Sequence, residues 1–442
     1  MTVHPPRVSV ARARRLAATL YGYAFLSELV LLYPLYALLF SDTGLSLWQI
    51  SSLFVIWSAA SILLEVPSGA LADAFSRRLL LILAPLVTAA GFALWVLVPS
   101  YPAFAVGFVL WGAGGALASG ALEALVFTEL DRLGAAGRYA RVIGRAKTVG
   151  TLGVLASILL AGPAFALGGY PAVGAASVLA CLLAAAVATR LPEHRDTGPV
   201  DAAIEPADAT RSVAGPATGP AHGGPERSGR DDGTGADDGE FGWWASLRAG
   251  LAEVHADRTV RAAVLLVAVV AAVWGALDEY TPLLARDTGV GAATVPLLLL
   301  LTWLGVAVGG LLAPAGERLT VRGYAGLLAL SAVALAAGAL LARPVGFALV
   351  AVAFCGFQLA TVLADARLQA RITGGSRATV TSLAGMATDL TVIAVYGGYV
   401  LLATGAGNGV AFAVAAVPYL IVALLLATRA HRPLRAGRSA PS

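Results

Sequence analysis

Charge is what this sequence has least of. Only 13 % of its 442 residues are Asp, Glu, Lys or Arg, about half of what soluble domains carry. Lysine is reduced to one residue, Lys147, which follows Ile143-Gly144-Arg145-Ala146, so no Walker-type phosphate loop can be written from it. Cysteine occurs twice, at Cys181 and Cys355, both inside apolar runs, which excludes a disulfide framework. The five histidines (His4, His194, His222, His255 and His431) all fall in polar segments, so the metal clusters and Ser/His pairs of an integral-membrane enzyme have nothing to be built from. In place of charge, 58 % of the chain is hydrophobic. That is more apolar surface than one globular core can bury, and the chain belongs in lipid. A soluble enzyme and a disordered protein are excluded as well.

A bilayer span needs about 20 apolar residues. Twelve such runs lie near 17–40, 48–72, 79–98, 102–125, 146–167, 171–190, 260–284, 292–313, 323–342, 345–366, 379–403 and 409–428. The expected fold is therefore all-α, with twelve transmembrane helices in two six-helix bundles. Residues 191–245 are rich in Pro, Gly, Asp and Thr and hold eleven carboxylates, as a solvated linker would. The expected division is 1–190, a linker 191–259 and 260–442. Within 241–259, Phe241, Trp243, Trp244, Leu247, Leu251 and Val254 recur at helical spacing, which predicts an amphipathic helix on the membrane surface.

With twelve spans, nearly all of the 30 basic residues fall on the side of the N-terminus, and only Arg286 and Arg343 fall on the other. The positive-inside rule then places both termini and the linker in the cytoplasm. It also accounts for the net charge of +4 without a nucleic-acid partner. The first run lacks a small-residue cleavage site and is expected to stay as a helix. High Ala, Gly and Arg beside one lysine suits the plasma membrane of a bacterium with a GC-rich genome, and a monomer is expected.

The halves share fragments at equal positions. Asp42-Thr43-Gly44-Leu45 closes the first run and Asp287-Thr288-Gly289-Val290 the seventh; Ala121-Leu122-Glu123-Ala124 ends the fourth and Leu363-Ala364-Asp365-Ala366 the tenth. Internal repeats are how many transporters build a central site. After the second run comes Gly69-Ala70-Leu71-Ala72-Asp73-Ala74-Phe75-Ser76-Arg77-Arg78. Gly69 permits close helix approach, and a continuing helix would put Asp73 and Arg77 one turn apart.

This stretch resembles the loop 2–3 signature of the major facilitator superfamily. The resemblance implies that Asp73 and Arg77 form a charge cluster with neighbouring helix ends that stabilises one access state; Gly69 and Arg78 complete the expected gating motif, and Glu65 and Glu123, close to that turn, are expected to belong to the same gate. The corresponding place in the second half is degenerate, with Gly310, Pro314 and Arg318. Gly162-Pro163 followed by Gly168-Gly169 is partly similar to the antiporter motif of drug exporters, whereas the fourth run has Phe108 and Trp111-Gly112 where proton-coupled members carry Arg and Gln-Gly.

An ionisable side chain at mid-membrane costs about 2.5–3.5 kcal/mol on insertion scales, so it is seldom kept for packing. Glu28, on a stripe with Tyr21 and Phe25, Asp278 and Glu279 beside Trp274, and Asp389 with Ser382, Gly385 and Tyr396 are such residues. The resemblance implies that the first, fourth, seventh and tenth helices line a cavity, which would bring Glu28, at least one of Asp278 and Glu279, and Gln358 and Thr361 to the substrate route. Each acid could instead lock helix packing through a buried hydrogen bond. Glu123, Glu129 and Asp365 are expected to pair with Arg77, Arg138 or Arg377. The expected function is secondary active transport by alternating access: proton-coupled export of small hydrophobic or cationic molecules, without cofactor. Uptake by symport or facilitated diffusion is the alternative, and a non-transporting sensor with the same fold is a third.

Overall fold

In the computed structural model, residues 7–194, 257–372 and 377–429 are described. The predicted amphipathic helix falls almost wholly outside them. The first half contains α1 (Arg7–Glu28), α2 (Tyr36–Asp42), α3 (Leu47–Ala74), α4 (Arg77–Leu97), α5 (Tyr101–Arg132) and α6 (Tyr139–Ala188). The second contains α7 (Arg258–Asp278), α8 (Thr281–Asp287), α9 (Val295–Leu311), α10 (Ala313–Gly316), α11 (Val321–Leu340), α12 (Gly346–Arg371), α13 (Arg377–Ala406), α14 (Asn408–Ala415) and α15 (Val417–Arg429). Among the described residues, nine helices or joined helix pairs are long and apolar enough to cross a membrane, and residues 136–188 form one of them.

That long run carries the fifth and sixth predicted spans. Gly168 and Gly169 leave helical geometry, Gly169 at φ +62°, a value that disfavours side chains with a Cβ. The chain doubles back there, because Gly153 and Val187 both lie against α1, at Phe25 and Gly22.

Each half packs as a bundle. In the first, α1 lies on α6, and α5 on α3 and α4; in the second, α12 lies on α9 and α11, and α13 on α7. Leucines such as Leu63, Leu97, Leu167 and Leu311 are more than 70 % exposed, on surfaces only lipid can cover. We call the side where α1 begins near and the side where α2 ends far. Three helix starts on the near side are capped by side chains: Ser76 accepts from the Leu79 amide at 3.1 Å, Asp257 from Thr259 at 2.7 Å and Thr320 from Gly323 at 3.1 Å.

The first run departs from expectation. A single helix over 17–40 was expected, but α1 stops at Glu28 and the chain turns through 29–35, which includes Pro34, before α2 begins. The seventh run breaks likewise, at Glu279 and Tyr280, just ahead of Pro282. Proline cannot donate to the preceding turn, so each break is local chemistry. The resulting orphan groups find partners: the Leu32 amide donates to Ser177 Oγ at 3.1 Å, and Thr281 Oγ1 donates to the Asp278 carbonyl at 2.6 Å.

Candidate functional site

Both breaks open onto one cavity. Glu28 closes α1, and Asp278 and Glu279 close α7; all three line a space of about 230 Å³ between the halves, with Tyr33, Trp111, Leu299 and Trp303 around them. Among the described residues, the lining contains no Arg, Lys or His to neutralise the acids, and no Asn or Gln. Two helix C-termini add their own negative partial charge. Tyr33 OH points to Glu28 Oε2 at 3.5 Å and its ring stacks on Trp111, with centroids 5.3 Å apart. Gly150 and Gly153 of α6 leave room for Glu28: a Cβ at Gly153 would stand 3.1 Å from the Glu28 Cβ.

Glu279 also borders a second space of about 360 Å³, shared with Asp389, Trp57, Ser58 and Tyr396. It therefore stands in the wall between two cavities. Its Oε2 is buried without a hydrogen-bond partner, an arrangement that is costly unless a proton or a ligand completes it.

Above the cavity the far side is shut. Ser51 Oγ and Tyr280 OH are 2.7 Å apart, Phe54 packs edge-on against Tyr280, and Tyr280 stacks on Tyr399 with centroids 3.7 Å apart. At the rim, Arg286 donates to both Asp42 oxygens, at 2.5 and 2.9 Å, and Tyr170 OH donates to the same carboxylate at 2.5 Å. Partial burial works against ionisation of Asp42, but the hydrogen bonds from Arg286 and Tyr170 outweigh it and hold the carboxyl below its ordinary range. The same contact raises the Arg286 guanidinium above its usual value. Arg286 was one of the two basic residues that broke the charge asymmetry, a signal that marks this side chain but not its partners.

Other expected site residues lie elsewhere. Trp274 is engaged inside the second half, where its indole N–H donates to Thr361 Oγ1 at 3.2 Å. Tyr21 packs with the near-side core of the first half, and Gln358 lies by Gly309; neither residue lines either cavity. Sequence reasoning missed Tyr33 and gave Trp111 and Trp303 no cavity role.

The near-side motif also differs from expectation. α3 ends at Ala74 and α4 starts at Arg77, so Asp73 and Arg77 do not share one helix. The side chains of Glu65 and Asp73, and the surroundings of Gly69, lie outside what is described. Arg77 donates to Thr128 Oγ1 at 2.9 Å and to the Ala124 carbonyl at 3.3 Å, and its amide donates to Glu193 Oε1 at 2.7 Å. Ser76 Oγ donates to the other Glu193 oxygen. Arg78 is exposed. Glu123 faces Lys147 instead, at 4.0 Å, and Glu129 is taken by His194, whose amide and Nδ1 lie 2.8 and 2.9 Å from its oxygens. The expected Arg77 pairing with either acid is therefore replaced by hydroxyl and carbonyl acceptors, because the strap after α6 brings its own acid and imidazole.

Two helical bundles with broken helices meet at a central cavity closed on one side by an inter-bundle latch, an architecture that many secondary transporters share. The major facilitator superfamily model matches residues 17–396, and the chain belongs to that family. It is a transporter rather than an enzyme. No curated protein matches the chain in sequence. The fold is shared with a bacterial homologue of the human lysosomal transporter Spinster in its inward-facing, unoccupied conformation, at 14 % identity over 96 % of this chain and 97 % of that one, with a TM-score of 0.66. It is shared likewise with the nucleoside transporter NupG, at 12 % identity over 95 % and 100 % of the two chains and a TM-score of 0.67. A D-xylose–proton symporter matches at 16 % identity over 94 % and 97 %, with a TM-score of 0.61.

Proposed function

We propose that the protein exchanges protons for small organic cations, exporting them across the plasma membrane with its near side in the cytoplasm. The observation that carries this reading is the buried, unpartnered Glu279 oxygen in a cavity whose three acids have no basic counterpart. Such a site is stable only when protonated or occupied by a cation, and the two alternatives compete for the same carboxylates. Stacked Tyr33 and Trp111, with Trp303 in the wall, supply π-faces for an organic cation.

In this cycle a cation enters from the near side while the latch holds the far side shut. The bundles then rock, the far side opens, and protons arriving there displace the cation. Glu28, Asp278 and Glu279 share the proton-coupling and cation-recognising roles, and Asp389 serves the adjoining cavity. Arg77, held by Thr128 and Glu193, belongs to the near-side gate. The linker joins the bundles without fixing their relative tilt.

The test is transport in proteoliposomes with an imposed pH gradient, using lipophilic organic cations and their neutral isosteres. The cations should move against the proton flux, and Glu279→Gln should abolish coupling, with Glu28→Gln or Asp278→Asn weakening it. Equal transport of neutral isosteres, with coupling intact in all three variants, refutes the reading. Cation and proton movement in the same direction favours the uptake alternative.

A further inference from the structure

Away from the central cavity, the near side of the first bundle holds a second concave site of about 520 Å³. Its wall receives Arg12 and Arg15 from α1, Arg132 from the end of α5 and Arg190 from just beyond α6. Four arginines from three separate elements line one space, and of these Arg132 lies close enough to Glu129 to favour its ionised form. The positive-inside tendency explains why basic residues lie on this side, but it asks only for charge near the interface and not for convergence on a cavity. Arg12, Arg15 and Arg190 carry no ion pair among the described residues.

Among the described residues, Glu129 is the one acid in the lining, and it is engaged: it accepts from the His194 amide at 2.8 Å and lies 2.9 Å from His194 Nδ1. An entering anion therefore meets a carboxylate whose oxygens are already turned to the strap. Clustered guanidiniums repel one another unless an anion sits between them, and their planar forks match phosphate oxygens. Leu16, Leu133 and Pro192 supply an apolar part of the wall at the membrane border.

We propose that this cavity binds a phosphate-bearing anion, either the phosphodiester of an anionic phospholipid headgroup or a soluble phosphate compound. Occupancy ties the start of α1, the end of α5 and the strap after α6 together. Because α1 ends at Glu28, the bound anion steadies the helix that carries one of the cavity acids. The proposal is independent of the cation-exchange reading, since it concerns a different cavity and is read without transport.

The experiment uses the full-length protein purified in non-ionic detergent, with thermal unfolding followed by tryptophan fluorescence and retained lipid counted by native mass spectrometry. Three additions are compared: phosphatidylglycerol, phosphatidylcholine and pyrophosphate. Phosphatidylglycerol or pyrophosphate should raise the unfolding midpoint by a few degrees, more at low than at high salt, while phosphatidylcholine does not. A response to phosphatidylglycerol alone identifies the lipid as the source, and an equal response to pyrophosphate identifies a soluble ligand. Arg15→Gln with Arg190→Gln should weaken apparent affinity about tenfold or more, the corresponding lysine variants, which keep the charge but lose the planar fork, should restore only part of it, and Arg343→Gln on the far side should leave it unchanged. The proposal is overturned if neither anion shifts the midpoint, if phosphatidylcholine acts equally well, or if Arg343→Gln weakens the response as much as the paired substitution.

Discussion

Replacing Asp42 by asparagine asks whether charge holds the far side shut. Two unit charges about 4 Å apart attract by about 4 kcal/mol at an effective dielectric constant of about 20. Here the Arg286 and Asp42 side chains are 32 % and 40 % exposed, so water screens them and ordering two flexible side chains opposes the gain. The paired hydrogen bonds at 2.5 and 2.9 Å place the contact at the strong end of such pairs. A net of about 1–2 kcal/mol follows, or about a 5- to 30-fold change in the balance between far-side-closed and far-side-open states. Spin labels at exposed Ser46 and Thr294, one in each half, with Cys181 and Cys355 replaced by alanine, would report that balance as a distance distribution. Asp42→Asn should move population toward longer distances, and the exchanged pair Asp42→Arg with Arg286→Asp should restore part of the short component.

The pH dependence has a fixed sign. The Asp42 carboxyl is held below its ordinary value of 3.8, so the latch is fully present above that value and is lost only as pH falls through the lowered one. Between about pH 8 and about pH 5 the parent distribution should not change through this contact. Identical distributions for Asp42→Asn and its parent would refute the reasoning.

Two close approaches give further predictions. A Cβ on Gly162 would stand 2.5 Å from the Ala293 carbonyl oxygen of the other half, so Gly162→Ala should wedge the far side apart and lengthen the same label distance; no change would mean that this contact does not limit closure. A Cβ on Gly107 would run into the Trp95 indole, whose N–H donates to the Phe104 carbonyl at 3.1 Å. Gly107→Ala should therefore cost about 1–3 kcal/mol and lower the thermal midpoint. Gly115→Ala on the same helix, with open space around it, should be neutral or mildly stabilising; equal losses for the two would refute the packing argument.

The repeat was legible because a turn is local chemistry. At the ends of α2 and α8, Thr43 and Thr288 hydroxyls donate to carbonyls of the preceding turn, and Gly44 and Gly289 adopt φ of +87° and +85°, the same device written twice as Asp-Thr-Gly. The candidate acids were legible for a different reason: each stands out against an apolar run, where hydropathy alone marks it as costly. Tyr33 was not legible, since its value depends on the break after Glu28 turning it toward Trp111. Nor were the partners of the latch, since residues 42, 170 and 286 lie far apart along the chain, Asp42 and Tyr170 meeting within the first bundle and Arg286 reaching them from the second.

By itself the sequence determined the solvent of this protein, the helical class, the repeated halves and a short list of buried carboxylates. These are additive properties of runs and turns, and each residue contributes to them irrespective of distant neighbours. Tertiary structure decided which carboxylates share a cavity, that Glu279 borders two of them, that Trp274, Tyr21 and Gln358 do not line either, and that four arginines converge on the near side. Those outcomes depend on where proline and glycine interrupt the helices and on how two bundles meet, and helical periodicity within one segment carries no information about either.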